Sequence, residues 1–513
     1  MGGNCSIASA AIRGVEAFLV EVEVAVLSGL PGVHVVGMPD VAVQEAKERV
    51  RAALKSSGFS MPNERIVVNL APSNLKKVGS GFDLPIAMGI LTATGQIPRS
   101  LSEGKLIVGE LGLDGCVRPV PGTLAFGVCA REFRLDLVCS SKSDAMPIDG
   151  LLQYGFDHLA HLARCAEVFE EDLADAVYGL ILPGSSGASS GGMSEEPLDF
   201  GDICGQEIAK RALQIAAAGN HGVLMMGPPG AGKTMLASRM GTILPPLERD
   251  EALEAAVIHS VAGEPVDGIL AGRRPFRSPH HSITTAGLIG GGNPLRPGEI
   301  SLAHHGTLFL DELAEFKPAV LQGMRQPMES GRVSLARADG NISFPARFAL
   351  IAASNPCACG YFGDEKPCTC TIPQIRQYQS RIGGPLMDRI DIHLDIRRIS
   401  PDSFVSAGPG TDSSTLREGV MEAREFAAWR RMRDGLSGDL PSKPHAVIAS
   451  CGLSEEDRLF LEQMASINDM SGRSIVRTLS VARTIADLAR KERVDRDCVA
   501  EALGYRIREG VGG

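Results

Sequence analysis

Residues 227–234 read Gly227-Pro228-Pro229-Gly230-Ala231-Gly232-Lys233-Thr234, matching the pattern G-x-x-x-x-G-K-[ST]. Glycines at these positions let backbone N–H groups approach phosphate oxygens, and a helix beginning at the lysine adds its partial positive charge. Lys233 is then the candidate to reach the outer phosphates of a nucleoside triphosphate, and Thr234 to ligate Mg²⁺. Two further segments supply what hydrolysis needs. "GTLFLDEL" delivers Asp311 and Glu312 at its carboxyl end: an aspartate to hold the Mg²⁺ shell and a glutamate to polarise the attacking water. "RFALIAASNP" brings Asn355 to the end of a strand, where its amide suits orienting that water or sensing the γ-phosphate. A lone acid pair after a strand is ordinarily a solvated strand end, and a lone asparagine a turn cap. Following a phosphate loop in this order, the three segments predict an ATP-hydrolysing site.

Charge developing on a transferring phosphoryl group calls for an arginine, often from a neighbouring subunit. Candidates are Arg381 and Arg389 in "QSRIGGPLMDRIDIHLDI", and Arg473 with Arg477 one turn later. The plainer alternative for Arg389 is an ion pair with Asp388 or Asp391.

"NPCACGYFGDEKPCTC" gathers Cys357, Cys359, Cys368 and Cys370 as two C-x-C pairs, with Gly360, Gly363 and Pro367 turning the chain between them. Of the 12 cysteines, the other eight are scattered without framework spacing, which fits a reducing compartment and argues against a disulfide frame. The absence of C-x-x-C argues against a thioredoxin-like redox pair. Thiolates in this number close around one tetrahedral ion, and their softness selects Zn²⁺ over Mg²⁺ or Ca²⁺. One structural zinc is the expectation, with reduced, unmetallated thiols as the alternative. Directly after Asn355, such a knuckle would stiffen the loop between the γ-phosphate sensor and the segment of Arg381 and Arg389.

Positive side chains on interrupted loops suit sequence-independent phosphate contact. "AGRRPFRSPHHSITTAGLIGGGN" offers Arg273, Arg274, Arg277, His280 and His281. "SGRVSLARADGNISFPARF" reads as a hairpin turning at residues 338–341 and offers Arg332 and Arg337. Only Phe276 lies nearby for base stacking. Solvated loops and a protein or peptide ligand remain alternatives to nucleic acid. The net charge of −10 argues against a globally basic binder, though a ring of subunits can concentrate local positive patches in a pore.

These residues need a scaffold, and 513 residues suffice for two to four domains. "AIRGVEAFLVEVEVAVLSGLPGVHVVGMP" alternates as strands do, and "DVAVQEAKERVRAALKSSG" carries helical spacing between an aspartate cap and a glycine stop. "LPGSSGASSGGMSEEP" at residues 182–197 predicts a flexible linker. Beyond it come an α/β segment to about residue 400, a polar stretch with "SAGPGTDSS", and a helical tail. In that tail "RSIVRTLSVARTIADLARKERV" has its apolar residues on one face. No apolar run is long enough for a membrane span and the N-terminus lacks a signal-peptide pattern, so a cytoplasmic location is expected.

The phosphate loop, "HHSITTAGLIGGGNPLRPGEISLAHHGTLFLDELAEF", "MRQPMESGRVSLARA", "NPCACG" and "LMDRIDIH" together resemble the magnesium-chelatase-like AAA+ ATPases, and within them the ComM/YifB group, across essentially the whole chain. The resemblance implies α/β architecture in three parts. These are a Lon-protease-like α/β domain at 1–182, a P-loop AAA+ α/β domain of the helix-2-insert clade at 200–400, and an all-α lid at 401–513, with the linker at 183–199. It further implies a homohexamer that uses ATP and Mg²⁺ to drive branch migration or helicase action on single-stranded and branched DNA. That work serves recombination in natural transformation, with recombination proteins as partners. It places the ATP sensor at Asn355, the arginine finger at Arg389 and the second sensor at Arg473. The N-terminal stretch "IVVNLAPSNLKKVGSGFDLPIAMGIL" is similar to the Lon segment bearing the nucleophile, but Asp83 stands in place of the serine and Leu124 in place of the lysine. Ser80 lies three residues away. A carboxylate and a leucine cannot form a Ser–Lys dyad, so no peptidase activity is expected. The rival class is an ATPase that remodels a protein or helps insert a metal, as magnesium chelatase does.

Overall fold

The structure is a computed structural model that describes residues 3–143, 146–167, 177–181, 198–337, 340–399, 410–435 and 444–506. The expected linker lies outside the described residues up to residue 197, as does the hairpin turn at 338–339.

In the N-terminal part, β1 (Asn4–Arg13), β2 (Glu16–Leu27) and β3 (Gly32–Val36) occupy the alternating stretch. Helix α1 (Val41–Ser56) follows, and Asp40 caps it by accepting a 2.9 Å bond from the Val43 N–H. Val43, Ala46, Val50 and Leu54 form its buried face, the three- and four-residue spacing that one side of a helix requires. Then come β4 (Arg65–Ala71), α2 (Asp83–Ala93), β5 (Lys105–Ile107), α3 (Thr123–Glu132), β6 (Asp136–Ser140), β7 (Gln153–Phe156) and β8 (Gly179–Leu180). The strands make one mixed eight-stranded sheet in the order β8-β7-β6-β5-β1-β2-β4-β3. Its centre is the long antiparallel β1–β2 pair, in register from Asn4↔Ala25 to Arg13↔Glu16.

The central part starts with α4 (Glu207–Gly219), β9 (Val223–Met226), α5 (Lys233–Ser238) and α6 (Arg249–Ala262). It continues through β10 (Phe276–Arg277), β11 (Thr307–Leu310), the hairpin β12 (Arg332–Arg337) and β13 (Gly340–Pro345), β14 (Ala349–Ser354), α7 (Ile372–Ser380) and β15 (Ile392–Asp395). Five strands form a parallel sheet ordered β10-β11-β14-β9-β15. Every residue of β9, β11 and β14 is buried, as expected of parallel strands covered on both faces. Parallel strands end together, so the residues after β9, β11 and β14 meet along one sheet edge.

The C-terminal part is helical: α8 (Ser413–Arg433), α9 (Pro444–Cys451), α10 (Glu455–Ile467), α11 (Gly472–Leu488) and α12 (Arg496–Gly504). Leu479, Ala482 and Ile485 of α11 share a core with Leu213 and Ile215 of α4, which seats these helices on the sheet domain. Inside them a buried Asp487 receives Arg430 through two 3.1 Å bonds and Arg483 at 3.0 Å.

The N-terminal and central parts also share a core, which the glycine- and serine-rich linker gave no reason to expect. Leu124 and Phe126 of α3 pack with Ala252, Ala255 and Ala256 of α6. The Gly122 N–H bonds the Ser260 carbonyl at 2.8 Å across this contact. Beside it lies an interdomain cavity of about 560 Å³, lined in part by Ala125, Cys129, Glu254, Val257 and His304. Among the described residues no helix is long and apolar enough to cross a membrane.

Candidate active site

The phosphate loop runs from the end of β9 into α5. Gly230 and Gly232 hold φ of +78° and +90°, which side chains beyond glycine rarely adopt. Gly227 is required for another reason: a Cβ there would sit 2.2 Å from the Ile396 carbonyl oxygen, so the loop can turn under β15 only without one. Lys233 Nζ donates to the carbonyls of Gly227 at 2.7 Å and Pro228 at 3.0 Å and to Asn355 Oδ1 at 3.2 Å. Burial lowers the Lys233 pKa, opposed by the charges of Asp311 and Glu312. The ammonium thus joins the loop to the strand-end asparagine, and its desolvation primes it for an anionic partner.

The acidic pair arrives at the end of β11. Thr234 Oγ1 donates to Asp311 Oδ2 at 2.9 Å, so the two expected Mg²⁺ ligands lie side by side without the ion. Glu312 adopts φ of +51°, and its N–H donates to Asp311 Oδ1 at 2.9 Å. This left-handed conformation separates the side chains of adjacent acids, giving each carboxylate its own direction. Two hydrogen-bonded pairs, Lys233–Asn355 and Thr234–Asp311, therefore stand next to each other through the adjacent residues 233 and 234, with Glu312 following Asp311. A nucleoside triphosphate and Mg²⁺ fit these donors: an ammonium and loop N–H groups for phosphate oxygens, and a hydroxyl and a carboxylate for a hard cation.

The arginines gather elsewhere. Arg389 Nη2 lies 2.6 Å from Glu329 Oε1, and Arg473 Nη2 lies 4.0 Å from the same oxygen. Arg381 lies 3.7 Å from Glu315 and over the Tyr378 ring, while Arg477 binds Asp391 and the Arg389 carbonyl. The two residues expected as finger and second sensor thus share one carboxylate, Glu329. The anticipated pairing of Arg389 with Asp388 or Asp391 is replaced by Glu329, and Asp391 is engaged instead by His221 and Arg477.

The four thiols converge. Sγ–Sγ separations are 3.4 Å for Cys357–Cys359, 3.7 Å for Cys357–Cys368 and 3.5 Å for Cys359–Cys368, with Cys370 in the same cluster. A tetrahedron with Zn–S bonds of about 2.3 Å has edges of about 3.8 Å, so the geometry fits a single Zn²⁺. Backbone N–H groups of Tyr361 and Thr369 pull Cys359 down to about 5, while burial and the neighbouring thiols push Cys368 and Cys370 up, so the protons are unevenly divided within the cluster. Outside the cluster burial pushes Cys139 and Cys451 up to about 11, as for small buried residues. The knuckle leans on the phosphate loop. A Cβ on Gly360 would come within 2.8 Å of the Pro229 ring, and Arg398 Nη2 donates to the Pro229 carbonyl at 2.8 Å while facing Asp364.

The candidate nucleic-acid residues divide into two groups. Arg274 is nearly buried, donating to the Pro245 and His305 carbonyls and pairing with Glu251 at 2.9 Å. Arg277 is held between Glu264 at 3.0 Å and Glu299 at 2.6 Å. Both guanidiniums are neutralised internally, so these two brace the loop instead of offering charge outward. Arg273, His280, Arg332 and Arg337 are exposed. His281 is half-buried and lies against Glu312, a contact that motif reading did not suggest.

Two further clusters have structural explanations. Asp83 is fully buried and accepts a fork from Arg49, Nε at 2.6 Å and Nη2 at 2.8 Å, plus the Leu111 N–H at 3.2 Å. Ser80 donates to Glu110, Lys77 to the Pro72 carbonyl, and Leu124 is buried in the interdomain core. Asp83 is therefore held in an ion-pair latch with Arg49. At the cavity, Glu254, His304 and His305 lie close enough to hold an ion. The Arg347 N–H, however, donates to His304 Nδ1 at 3.0 Å, which leaves the proton of the neutral ring on Nε2, 3.3 Å from Glu254. A protonated Nε2 is a donor to the carboxylate and cannot ligate a metal.

Comparison with known proteins places this geometry in context. Family models described as "Magnesium chelatase, subunit ChlI", "Subunit ChlI of Mg-chelatase" and "Magnesium chelatase, subunit ChlI C-terminal" match residues 199–404, 22–142 and 410–506. The chain is 40% identical over 502 residues to the competence protein ComM of Haemophilus influenzae, covering 97% of this chain and 96% of that protein. It is 40% identical over 500 residues to the uncharacterized protein YifB of Escherichia coli, with the same coverage of 97% and 96%. The magnesium-chelatase 38 kDa subunit of Cereibacter sphaeroides is 26% identical over 182 residues, 32% of this chain and 54% of that subunit.

Proposed function

From the premise that the chain belongs to the ComM/YifB family of magnesium-chelatase-type AAA+ ATPases, we propose that it is an ATP-driven DNA motor acting on recombination intermediates. The carrying observation is that the hydrogen-bonded pairs Lys233–Asn355 and Thr234–Asp311, with Glu312 next in the chain, meet at the carboxyl edge of a parallel sheet. In this reading Lys233 and the loop N–H groups hold the phosphates, and Thr234 and Asp311 hold Mg²⁺. Glu312 takes the proton of the attacking water, and Asn355 orients that water. Held by Thr234 and Asp311, Mg²⁺ would supply positive charge against the charge that develops on the phosphate oxygens. Copies of the chain assemble as a homohexamer, in which Arg389 serves a neighbour's phosphate and Arg473 acts as the second sensor. The finding that both lie on Glu329 supports a coupled pair that a subunit interface would release together. A single Zn²⁺ on Cys357, Cys359, Cys368 and Cys370 stiffens the loop next to the phosphate site.

Exposed Arg273, His280, Arg332 and Arg337 are the proposed DNA contacts, and branch migration during natural transformation is the proposed biological work. The name of the Haemophilus relative, a competence protein, supports this direction. A second reading, remodelling of a protein partner, is favoured by the internal neutralisation of Arg274 and Arg277 and by the net charge of −10. The deciding experiment measures ATP turnover by the full chain with and without single-stranded and forked DNA, using Glu312→Gln as the inactive control. Stimulation by DNA that vanishes in the control supports the motor. A turnover indifferent to DNA overturns it in favour of protein remodelling.

A further inference from the structure

The hairpin of β12 and β13 stands apart from the central sheet as a two-stranded ribbon, in register from Arg332↔Pro345 to Arg337↔Gly340. A lone pair of strands is marginally stable in water, so its shape and direction depend on what covers its apolar side. That side carries the facing pairs Val333–Phe344 and Leu335–Ile342, while Ser334 and Ser343 on the other are exposed. The cover comes from the far end of the chain. Val15, in the two-residue turn between β1 and β2, shares a core with Val333 and Phe344, and Leu335 and Ile342 pack against it. Gly14 in the same turn holds φ of +72°, and a Cβ there would lie 2.7 Å from Ile342 Cγ2. Any other residue would be strained both in its backbone and against the hairpin. Near the tip, a Cβ on Gly340 would collide with Nη2 of Arg13, the residue that enters this turn. The part that supplies the turn is itself fastened to the ATPase domain. Beyond the shared core of α3 and α6, the Leu124 N–H donates to Ser260 Oγ at 3.3 Å and Arg249 pairs with Asp149 at 2.5 Å.

We propose that the N-terminal part works as the seat of this hairpin: its β1–β2 turn covers the apolar face and so fixes the direction in which Arg332 and Arg337 meet a nucleic-acid strand. Gly14, Val15 and Ile342 are positioning residues in this arrangement. The chain passes from Pro345 at the end of β13 to Ala349 at the start of β14. A seated hairpin therefore transmits a load on its tip into the sheet, whereas an unseated one yields to it. Only the identity of the ligand rests on the DNA-motor reading; the seating rests on packing alone.

The test follows amide hydrogen exchange of residues 333–336 and 340–344 in the full chain by mass spectrometry, alongside ATP turnover with and without single-stranded DNA. Val15→Ala and Ile342→Ala each remove apolar contact from the seat. Either should speed exchange of the hairpin about tenfold, with β9, β11 and β14 exchanging as in the wild type. In both variants DNA-free kcat and KM for ATP should be unchanged. The ratio of DNA-stimulated to DNA-free turnover should fall about three- to tenfold, the coupling lost when one link of a packed network is cut. Ile342→Val keeps the methyl that faces Gly14 and should stay close to the wild type in both measurements, as should Ser334→Ala on the exposed side. Hairpin exchange unchanged in both alanine variants overturns the seat, and so does exchange that rises equally throughout the central sheet. Faster hairpin exchange with the stimulation ratio intact overturns its role in placing the ligand contact. If the wild type ignores DNA while hairpin exchange still rises, the seating stands and the DNA reading fails.

Discussion

Replacing Cys359 by serine is the sharpest test of the metal knuckle. Three Sγ–Sγ separations of 3.4–3.7 Å fall just inside the edge of about 3.8 Å set by Zn–S bonds of about 2.3 Å, so the thiols need move only a few tenths of an ångström to ligate. Structural zinc contributes about 10–16 kcal/mol of binding free energy near neutral pH, and an even division over its ligands assigns about 3 kcal/mol to each thiolate. Cys359→Ser should therefore weaken zinc binding by about two orders of magnitude. The knuckle touches the phosphate loop through Gly360 on Pro229 and Arg398 on the Pro229 carbonyl, so loosening it should also raise KM for ATP. The assay is metal content by mass spectrometry after desalting, with competition against a chromophoric chelator to give the affinity of each variant. One zinc per chain in the wild type, lost in Cys359→Ser together with a raised KM, is the expected result. Zinc content well below one per chain after reconstitution, with normal ATP turnover, would refute the reasoning: the thiols would then be unmetallated packing.

Three other outcomes follow from buried titratable groups. Asp83→Ala should remove the fork that holds Arg49 and lower the stability of the N-terminal part by about 3 kcal/mol, read as a lowered urea midpoint. Asp83→Ser, which also removes this latch, should still show no casein-degrading activity, because Leu124 supplies no amine; measurable degradation would refute that reading. Burial pushes His304 down to about 4, its neighbours being His305, Glu254 and Arg347. Its folded pKa lies below the unfolded value, so the unfolded chain takes up a proton first as the solution is acidified. Stability present at neutral pH is thus lost progressively from about pH 6.5 to about pH 4, by about 3 kcal/mol in all. His304→Gln should shrink the fall in melting temperature between neutral and mildly acidic buffer; an unchanged fall would place the acid sensitivity elsewhere.

The legible features were those whose chemistry is written locally. The phosphate loop declares itself because its glycines must adopt positive φ at Gly230 and Gly232 and tolerate a backbone neighbour at Gly227, and few other residues can. Short, mostly apolar runs such as Thr307–Leu310 and Ala349–Ser354 suit strands covered on both faces, which brings the acids and the amide after them to a common edge. Asp40 and the apolar spacing behind it likewise fixed α1 without reference to the rest of the chain. Charges were less transparent, because a guanidinium's role depends on which carboxylate reaches it. Arg274 and Arg277 resemble loop cations in one dimension, yet Glu251, Glu264 and Glu299 neutralise them in three.

By itself, then, the sequence determined the strand ends, the phosphate loop and the paired cysteines. All of these depend on neighbours within a few residues, where backbone geometry and side-chain type leave little choice. Only the tertiary structure decided that Arg389 and Arg473 share Glu329, that α3 and α6 bury one core across the linker, and that His281 reaches Glu312. Those contacts join residues 31 to 144 positions apart or separate elements, and pairing over such distances is selected by the packing of whole elements rather than by local propensity.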